Sequence, residues 1–385
     1  MLSQYRISFH ERVQELLAAE GIDYRLIYSD PVGDAAAKGD TRRLDWARCV
    51  PVKAFDIARQ RLFWQSAMPH LVDADLTIVS QENKLLLNYW LQARSLIGRR
   101  KIAFFGHGQS SASSRFPRIA GTLKRFLATR VDWWFAYTPG VADLLAAYGY
   151  PADRITINYN SIDTEALDRE LTTVGEDEIA AFRATHGLGA GRTGLYVGSL
   201  YADKRIAFLI EAAQRIRQKV PDFQLIVVGS GPQADIVEGA ARSHDFIHAT
   251  GPLFGRDKAV ALRSAHVCLL PGAVGLAVLD TFVAGCPLIT TEGPGHGPEI
   301  DYLQDGVNGV RVRDTDSVDA YAEAAVRVLT DDPWRDRLAA GARRSAGTYT
   351  IDNMARHFSG GVVRAVGQAH AVPATFATPR LGRSG

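Results

Sequence analysis

The residues best suited to chemistry in this 385-residue chain lie in one segment, residues 265–289. Its opening apolar run predicts a short strand, and Gly275 then begins a predicted helix whose apolar residues recur at helical spacing. Gly285 ends that helix, and Pro287 begins a second predicted strand. Free N–H groups and the positive end of a helix dipole favour an anion. The arrangement therefore predicts phosphate binding at Gly275 and Leu276.

Asp280 is the acidic residue of this predicted helix. It follows Gly275 by five residues, which is about 7.5 Å along a helix axis. A carboxylate at that distance does not serve the phosphate, but it accepts two hydrogen bonds and so suits a ribose diol beside it. An ordinary βαβ unit with a surface Asp280 fits the same residues, and both interpretations remain open at this point.

The segment resembles the donor-site signature of family 4 glycosyltransferases with the GT-B fold. In that signature, two glutamates separated by seven residues enclose a Gly-Leu-aliphatic run, which a small residue, Gly and Pro follow. Asp280 stands at the second glutamate, and Gly272 stands at the first. The resemblance implies that Asp280 binds the ribose and that another residue takes over the first glutamate's role. His296 and Glu299, in the glycine-rich loop that follows, are the candidates to contact the sugar; Glu299 also fits a simple helix-dipole partner.

A second set of candidates follows the predicted strand 194–197. A lysine just after a glycine-bearing strand end can place its ammonium on a diphosphate, and Lys204 has this position. The family shows Gly-Arg before this loop and Glu-Lys-Gly after it. Here Ser199 replaces the arginine, Lys204 keeps the lysine, and Arg205 stands at the final glycine. All three are predicted donor ligands, although a solvent-facing Arg205 fits the sequence as well.

His107 is the candidate from the first half of the chain. It lies between Gly106 and Gly108 at the end of the predicted strand 101–105. Open parallel sheets bind ligands at the carboxyl ends of their strands, and flanking glycines let a substrate approach closely. A turn histidine without a function is the alternative. Family members have a histidine at this strand end near the transferred sugar, so the resemblance implies that His107 is catalytic and orients the sugar.

Strands and helices alternate along the chain, which predicts an α/β fold with parallel sheets and helices on both faces. The resemblance implies the GT-B arrangement, in which two Rossmann-like domains face each other across a cleft and a C-terminal helix returns to the first domain. Residues 55–71 are predicted to be helical. The expected parts are an acceptor domain (1–165), a linker (166–192), a donor domain (193–348), the returning helix (349–370) and a disordered tail (371–385).

Charge is distributed unevenly along the chain, although the net charge is only +2. Residues 1–160 contain 21 Lys and Arg against 15 Asp and Glu. A basic face of this kind can meet anionic lipid or a phosphate-bearing acceptor, while solvated helix faces explain the same charges. The near-neutral total and the lack of a reader motif argue against nucleic-acid binding.

The remaining composition predicts a cytoplasmic protein that can also lie peripherally at the inner face of the membrane. The three cysteines form no spaced ligand set and are expected to be small buried residues in a reducing compartment. No apolar run approaches the roughly 18 residues that a membrane span requires. Residues 1–10 contain no apolar core of the signal-peptide kind.

Taken with the resemblance, these features predict a hexosyltransferase of the EC 2.4 class. It is expected to move a sugar from a nucleotide diphosphate sugar, most commonly a UDP-sugar, to an acceptor hydroxyl, with retention and without a metal or other cofactor. The expected acceptor is a glycan, a lipid-linked saccharide or a small molecule. A nucleotide-sugar epimerase of the same architecture is one alternative. A non-catalytic nucleotide-sugar-binding subunit is another, suggested by Gly272 and Ser199.

Overall fold

The computed structural model describes residue 2 and residues 4–30, 43–57, 60–98, 100–108, 125–189, 191–293 and 295–367. The chain divides into two compact units. The first contains residues up to Asn158 together with those from Ala355 onward, and the second is Tyr159–Met354. Within the described ranges, no helix combines the length and apolar character that crossing a membrane demands. The predicted disordered tail, 371–385, lies outside the described residues.

The described strands of the first unit are β1 (Ile27–Tyr28), β2 (Arg48–Cys49), β3 (Val52–Ile57), β4 (Gln60–Gln65), β5 (Leu76–Ser80), β6 (Lys101–Gly106), β7 (Trp133–Ala136) and β8 (Ile155–Ile157). The last four form a parallel sheet of order β5-β6-β7-β8. A short parallel pair, β1-β2, and an antiparallel pair, β3-β4, accompany it. Before β8 the chain has the helices α1 (Ile7–Ala19), α2 (Leu86–Ile97) and α3 (Pro139–Ala147), and residues 125–128 are helical as well. Turns of 3-10 helix lie at Gln4–Arg6, Met68–His70 and Ala152–Arg154.

The helix predicted over 55–71 is wrong. The structure has a hairpin there, in which β3 and β4 pair antiparallel and Phe55 lies opposite Leu62. Ala54 lies opposite Phe63 in the same register. Aromatic and aliphatic side chains that face each other across two strands favour extended backbone, and this cross-strand pairing outweighs the helix-like spacing of the apolar residues.

The described strands of the second unit are β9 (Thr193–Val197), β10 (Gln224–Val228), β11 (Ile247–Gly251), β12 (Val267–Leu269), β13 (Leu288–Thr291) and β14 (Gly309–Val312). They form a parallel sheet of order β11-β10-β9-β12-β13-β14. Its helices are α4 (Thr164–Thr173), α5 (Glu176–Thr185), α6 (Ile206–Lys219), α7 (Ala234–Ser243), α8 (Gly255–Arg263), α9 (Ala277–Ala284), α10 (Val318–Thr330) and α11 (Asp332–Ala346). Two 3-10 turns, Ala202–Lys204 and Pro298–Tyr302, follow β9 and β13.

The order of this sheet sets the position of the site. From β9 the chain continues to β10 on one side, while β12 pairs with β9 on the other side, so the strand order reverses between β9 and β12. Ligands of open α/β sheets bind at such a reversal, beyond the carboxyl ends of the strands. The loop after β9 carries Lys204, and the loop after β12 carries Gly275. The fold therefore brings the two predicted diphosphate ligands to the same edge.

Residues 166–192, predicted as a linker, belong to the second unit and contain most of α4 and all of α5. Leu167 and Leu171 of α4 are buried in the core of this unit. Arg256 of α8 links both helices to α8, because its guanidinium forms ion pairs with Glu170 of α4 and Glu178 of α5. This segment is thus packed against the rest of the second unit.

The last described helix, α12 (Ile351–Gly367), starts in the second unit, and its residues from Ala355 onward belong to the first. Within the first unit, the Phe358 ring contacts the rings of Phe9 at 5.3 Å and Phe135 at 4.5 Å. The Lys101 ammonium donates to the carbonyl oxygens of Ala365 and Val366. These contacts anchor the end of α12 because they satisfy carbonyls that a helix C-terminus leaves unpaired.

Candidate functional site

The loop between β12 and α9 ends in two N–H groups that are available to a ligand. Leu276 is the residue before the first turn of α9, and its side chain provides no cap. Across the described residues, the backbone N–H groups of Gly275 and Leu276 donate to no protein acceptor. Both residues are only half-buried. Unpaired donors at a helix start are suited to an anion, and phosphate binding at these two residues stays a prediction.

One side of this loop is fixed by the turn after β9. The Ala273 N–H donates to the Asp203 carbonyl at 2.9 Å. The Lys204 ammonium donates to the Ala273 carbonyl at 2.5 Å and lies 3.6 Å from the Asp203 carboxylate. Lys204 is thus held at the loop that ends in Gly275, and about a fifth of its side chain is accessible to solvent.

The other side of the loop is fixed by His296. Its Nδ1 accepts from the Val274 N–H at 3.0 Å, so the ring proton belongs on Nε2, which donates to the Thr291 carbonyl at 2.8 Å. Burial lowers the pKa of His296 and favours this neutral form. Because both ring nitrogens are engaged by the backbone, His296 supports the loop and has no nitrogen left for a sugar.

Asp280 lies in the first turn of α9, which begins at Ala277 rather than at Gly275. The carboxylate is buried, and its Oδ1 accepts from the Lys258 ammonium of α8 at 3.1 Å. Burial raises the pKa of Asp280, while the Lys258 charge and its hydrogen bond oppose that rise. Lys258 is absent from the predicted site, because it precedes Asp280 by 22 residues on a different helix and no local spacing links the two.

Glu299 is the second residue of the 3-10 turn after the glycine-rich loop and is 5% exposed. Its Oε1 accepts a hydrogen bond of 2.5 Å from the Asn160 side chain. Its Oε2 lies 4.0 Å from the position that a β carbon on Gly275 would occupy. The structure therefore brings one carboxylate oxygen of Glu299 next to the predicted phosphate loop, and Asn160 holds the other oxygen.

Arg205 and Ser199 take different positions around this loop. Arg205 adopts the left-handed conformation, with φ 57°, at the position where the family has glycine. Its guanidinium donates to the Thr315 carbonyl and to Asp316, and it lies 4.2 Å above the Phe208 ring. Ser199 is exposed, and its carbonyl accepts from the Tyr196 hydroxyl at 2.7 Å. The Arg205 charge is thus compensated within the protein.

His107 belongs to the first unit and directly follows β6. Its ring meets that of Tyr137 edge to face, with the centroids 6.4 Å apart. The next residue, Gly108, has φ +67°, and a β carbon there would lie 3.1 Å from Val141. Glycine is needed at 108 for this turn, which places His107 at the carboxyl edge of the sheet.

The carboxylate of Asp73, in the first unit, forms an ion pair within the protein. Both oxygens of Asp73 accept from the Arg25 guanidinium, at 2.8 and 2.9 Å, so the Asp-Ala-Asp sequence at 73–75 forms an ion-paired turn. In the part of the chain that the structure describes, no group of three or more His, Cys, Asp or Glu side chains has the geometry of a metal site.

Solved structures share this fold over most of the chain. A glycosyltransferase from Rickettsia africae superposes with a TM-score of 0.69 at 11% identity and covers 96% of this chain and 97% of its own. HepE of Anabaena, solved in complex with UDP, gives a TM-score of 0.61 at 15% identity and covers 77% of this chain and 81% of its own. At identities this low, the superpositions establish the fold alone. This fold is a GT-B arrangement of two Rossmann-like domains.

Family models match both halves of the sequence. One described as Glycosyltransferase Family 4 matches residues 11–166, and one described as Glycosyl transferases group 1 matches residues 191–331. The chain belongs to the family 4 glycosyltransferases. Among the curated relatives, glycogen synthase of Mycobacterium tuberculosis is 33% identical over 190 residues, which cover 47% of this chain and 45% of that enzyme. The chain spans about half of the length of the curated relatives that it matches.

Proposed function

We propose that this family 4 protein is a hexosyltransferase that moves a sugar from a UDP-sugar to an acceptor hydroxyl. The observation that carries the proposal is the pair of free N–H groups at Gly275 and Leu276, with the Lys204 ammonium fixed at the same loop. A diphosphate carries negative charge, and preorganised donors of this kind stabilise it without reorganisation during the reaction.

The proposed reaction needs no metal. The charge that develops on the leaving diphosphate is met by Lys204 and by the start of α9, so this chain's own groups carry out the stabilisation. Retention of the anomeric configuration is part of the proposal and rests on the family resemblance. Exclusion of water from the site would limit hydrolysis of the donor.

The other parts of the donor have proposed partners as well. Asp280 accepts from the ribose hydroxyls, and Glu299 contacts the sugar in place of the glutamate that Gly272 replaces. His107 orients the transferred sugar. Ser199 and Arg205 complete the proposed donor ligands, with Arg205 acting through the loop that it binds at Thr315. These roles are supported by the positions of the residues at the two sheet edges.

UDP is the proposed nucleotide because the similar HepE structure contains it. The proposed acceptor is a glycan, a lipid-linked saccharide or a small molecule, met in the cytoplasm. Contact with an anionic membrane through the basic first unit is part of the same proposal. Nucleic acid is not a proposed partner.

A two-step experiment tests the proposal. A thermal-shift screen against UDP, GDP, dTDP and ADP in EDTA should show stabilisation, since a ligand that binds only the folded state raises the melting temperature. Incubation of the purified protein with the corresponding nucleotide sugar and acceptor mixtures should then release the nucleoside diphosphate. Release of an epimerised nucleotide sugar would identify an epimerase, and binding without any turnover would identify a non-catalytic subunit. An absence of any nucleotide-dependent shift would overturn the proposal.

A further inference from the structure

The ion pair between Lys258 and Asp280 is unusual for its burial. The two side chains are only 25% and 12% exposed, and the ammonium lies 3.1 Å from Oδ1. Most other ion pairs in the described residues have at least one partner that is about half exposed or more, as in Lys219–Glu323. Desolvation of two charges costs several kcal/mol and offsets much of their attraction, so a buried pair is weak evidence of a stabilising role. The pair lies one helical turn from the loop that ends in Gly275, and this position points to a function.

The geometry of the pair leaves two groups available. Lys258 occupies Oδ1 of Asp280, so Oδ2 keeps its capacity to accept a hydrogen bond. The Lys258 ammonium has three N–H donors, and one of them binds Oδ1. Asp280 is in the first turn of α9, one turn from the free N–H groups at Gly275 and Leu276. A ligand diol that reaches Asp280 therefore meets an acceptor and a donor side by side.

We propose that Lys258 is a positioning residue for nucleotide recognition: it fixes the Asp280 carboxylate so that the second oxygen accepts a ribose hydroxyl of the donor. This inference rests on the proposed function, since it takes Asp280 as the ribose ligand. It assigns to α8 a part in the donor site that the motif around Asp280 does not contain. Without Lys258, a buried carboxylate would take up a proton or turn away, and the hydroxyl would lose its acceptor.

The test measures how strongly the protein prefers a full ribose. Calorimetric affinities are determined for UDP, 2′-deoxyuridine diphosphate and 3′-deoxyuridine diphosphate, with ADP and GDP and their deoxy forms as the alternative series. A hydrogen bond to a charged group contributes about 1.5–3 kcal/mol, so the wild type should prefer the full ribose by about tenfold or more over at least one deoxy form. In Lys258→Met this preference should fall to about twofold, while Lys258→Arg should retain most of it.

Two further variants separate recognition from folding. Asp280→Asn should lose the preference as Lys258→Met does, and the double variant should lose no more than either single one. The double variant also carries no unpaired buried charge, so it remains usable if Lys258→Met is unstable. The ratio of two affinities measured on one preparation does not depend on the folded fraction of that preparation.

The outcomes distinguish this inference from the proposed function. If no nucleoside diphosphate binds the wild type, the proposed function fails and the role of Lys258 fails with it. If the wild type prefers the full ribose, Asp280→Asn abolishes that preference and the two Lys258 variants keep it, the proposed function stands and the role of Lys258 is overturned.

Discussion

Gly272 lies beneath the backbone of Lys204: a β carbon built on Gly272 would come 2.6 Å from the Lys204 α carbon. The same β carbon would also overlap the Asp203 carbonyl. The backbone of the turn after β9 thus occupies the space into which any side chain at 272 would start. Because the Lys204 turn packs this closely, the loop accommodates only glycine at 272, and the family's acid is absent from this position.

Restoration of the family's glutamate by Gly272→Glu should therefore destabilise the protein. The expected loss is about 1–3 kcal/mol of the free energy of unfolding, because overpacking forces the Asp203–Lys204 backbone to move. Urea denaturation measures it. Gly239→Ala in α7 is the matched control, since the nearest atom to its added β carbon is 3.9 Å away. That change should be neutral or stabilising by up to about 1 kcal/mol. A fully stable Gly272→Glu variant would show that the Lys204 turn yields easily.

The sequence was sufficient to predict the fold because its signals are repetitive. Apolar strands alternate with amphipathic helices throughout 193–346, and this alternation specifies a parallel sheet whatever the details of each loop. The prediction from sequence failed at 55–71, where two short strands contain apolar residues at spacings that also fit a helix. Only the pairing of Phe55 with Leu62 across the hairpin separates the two interpretations, and pairing is not local information.

The candidate site could be predicted from the sequence only where a motif is contiguous. Gly275 and Leu276 became candidates because strand, glycine and helix follow one another directly. Lys258, by contrast, reaches Asp280 from the preceding helix. The two backbone contacts of His296 could not be predicted from the sequence either, because they depend on how the glycine-rich loop packs against Val274.

Lys204→Ala should weaken the binding of UDP by about tenfold or more, because it removes a charged donor to the diphosphate. The affinity for uridine, which has no phosphate, should change little, and calorimetry with both ligands measures the difference. Lys219→Ala is the control, since Lys219 pairs with Glu323 at an exposed position. Equal losses for UDP and uridine would show that the contribution of Lys204 does not depend on the diphosphate and would remove its proposed phosphate role.

His107→Ala should reduce sugar transfer about a hundredfold while leaving the affinity for UDP nearly unchanged. Misplacement of a reacting group by a small distance has effects of this size on rate, and the proposed nucleotide ligands all lie in the second unit. Initial rates of transfer and calorimetric titration with UDP measure the two quantities. His70→Ala, in the 3-10 turn before β5, is the control for loss of a histidine from the same unit. A fully active His107→Ala enzyme would refute the assignment.

Only Cys49 should react with iodoacetamide in the folded protein. Cys268 and Cys286 are buried, with their sulfur atoms 3.3 Å apart. The contact with Cys286 and burial raise the pKa of the Cys268 thiol well above its usual value, so the reactive thiolate is scarce. Mass spectrometry should show at most one adduct in buffer, on the half-buried Cys49, and three in urea. An adduct on Cys268 or Cys286 without denaturant would contradict this packing.

Acid should destabilise the first unit through His10. Burial, followed by the Arg6 charge, lowers the pKa of His10 from 6.5 to about 3, and Nδ1 lies 2.8 Å from the Tyr24 hydroxyl. Between these two pH values the unfolded chain binds a proton at His10 that the folded chain does not bind. The free energy of unfolding therefore falls as the pH drops below about 6.5, by up to about 1.4 kcal/mol per pH unit from this group.

The variant His10→Gln isolates that contribution, because glutamine keeps polar atoms near Tyr24 but takes up no proton. Urea denaturation at pH 7.5, 6.5, 5.5 and 4.5 should give a wild-type stability that falls more steeply than that of the variant below pH 6.5. The other histidines with a lowered pKa, such as His266 and His296, affect both proteins alike and cancel in the comparison. Between pH 5.5 and 4.5, the free energy of unfolding of the wild type should fall more steeply than that of the variant by nearly the amount expected for one proton, about 1.4 kcal/mol per pH unit. Parallel curves over the whole range would show that His10 titrates normally and that its burial beside Tyr24 does not persist in solution.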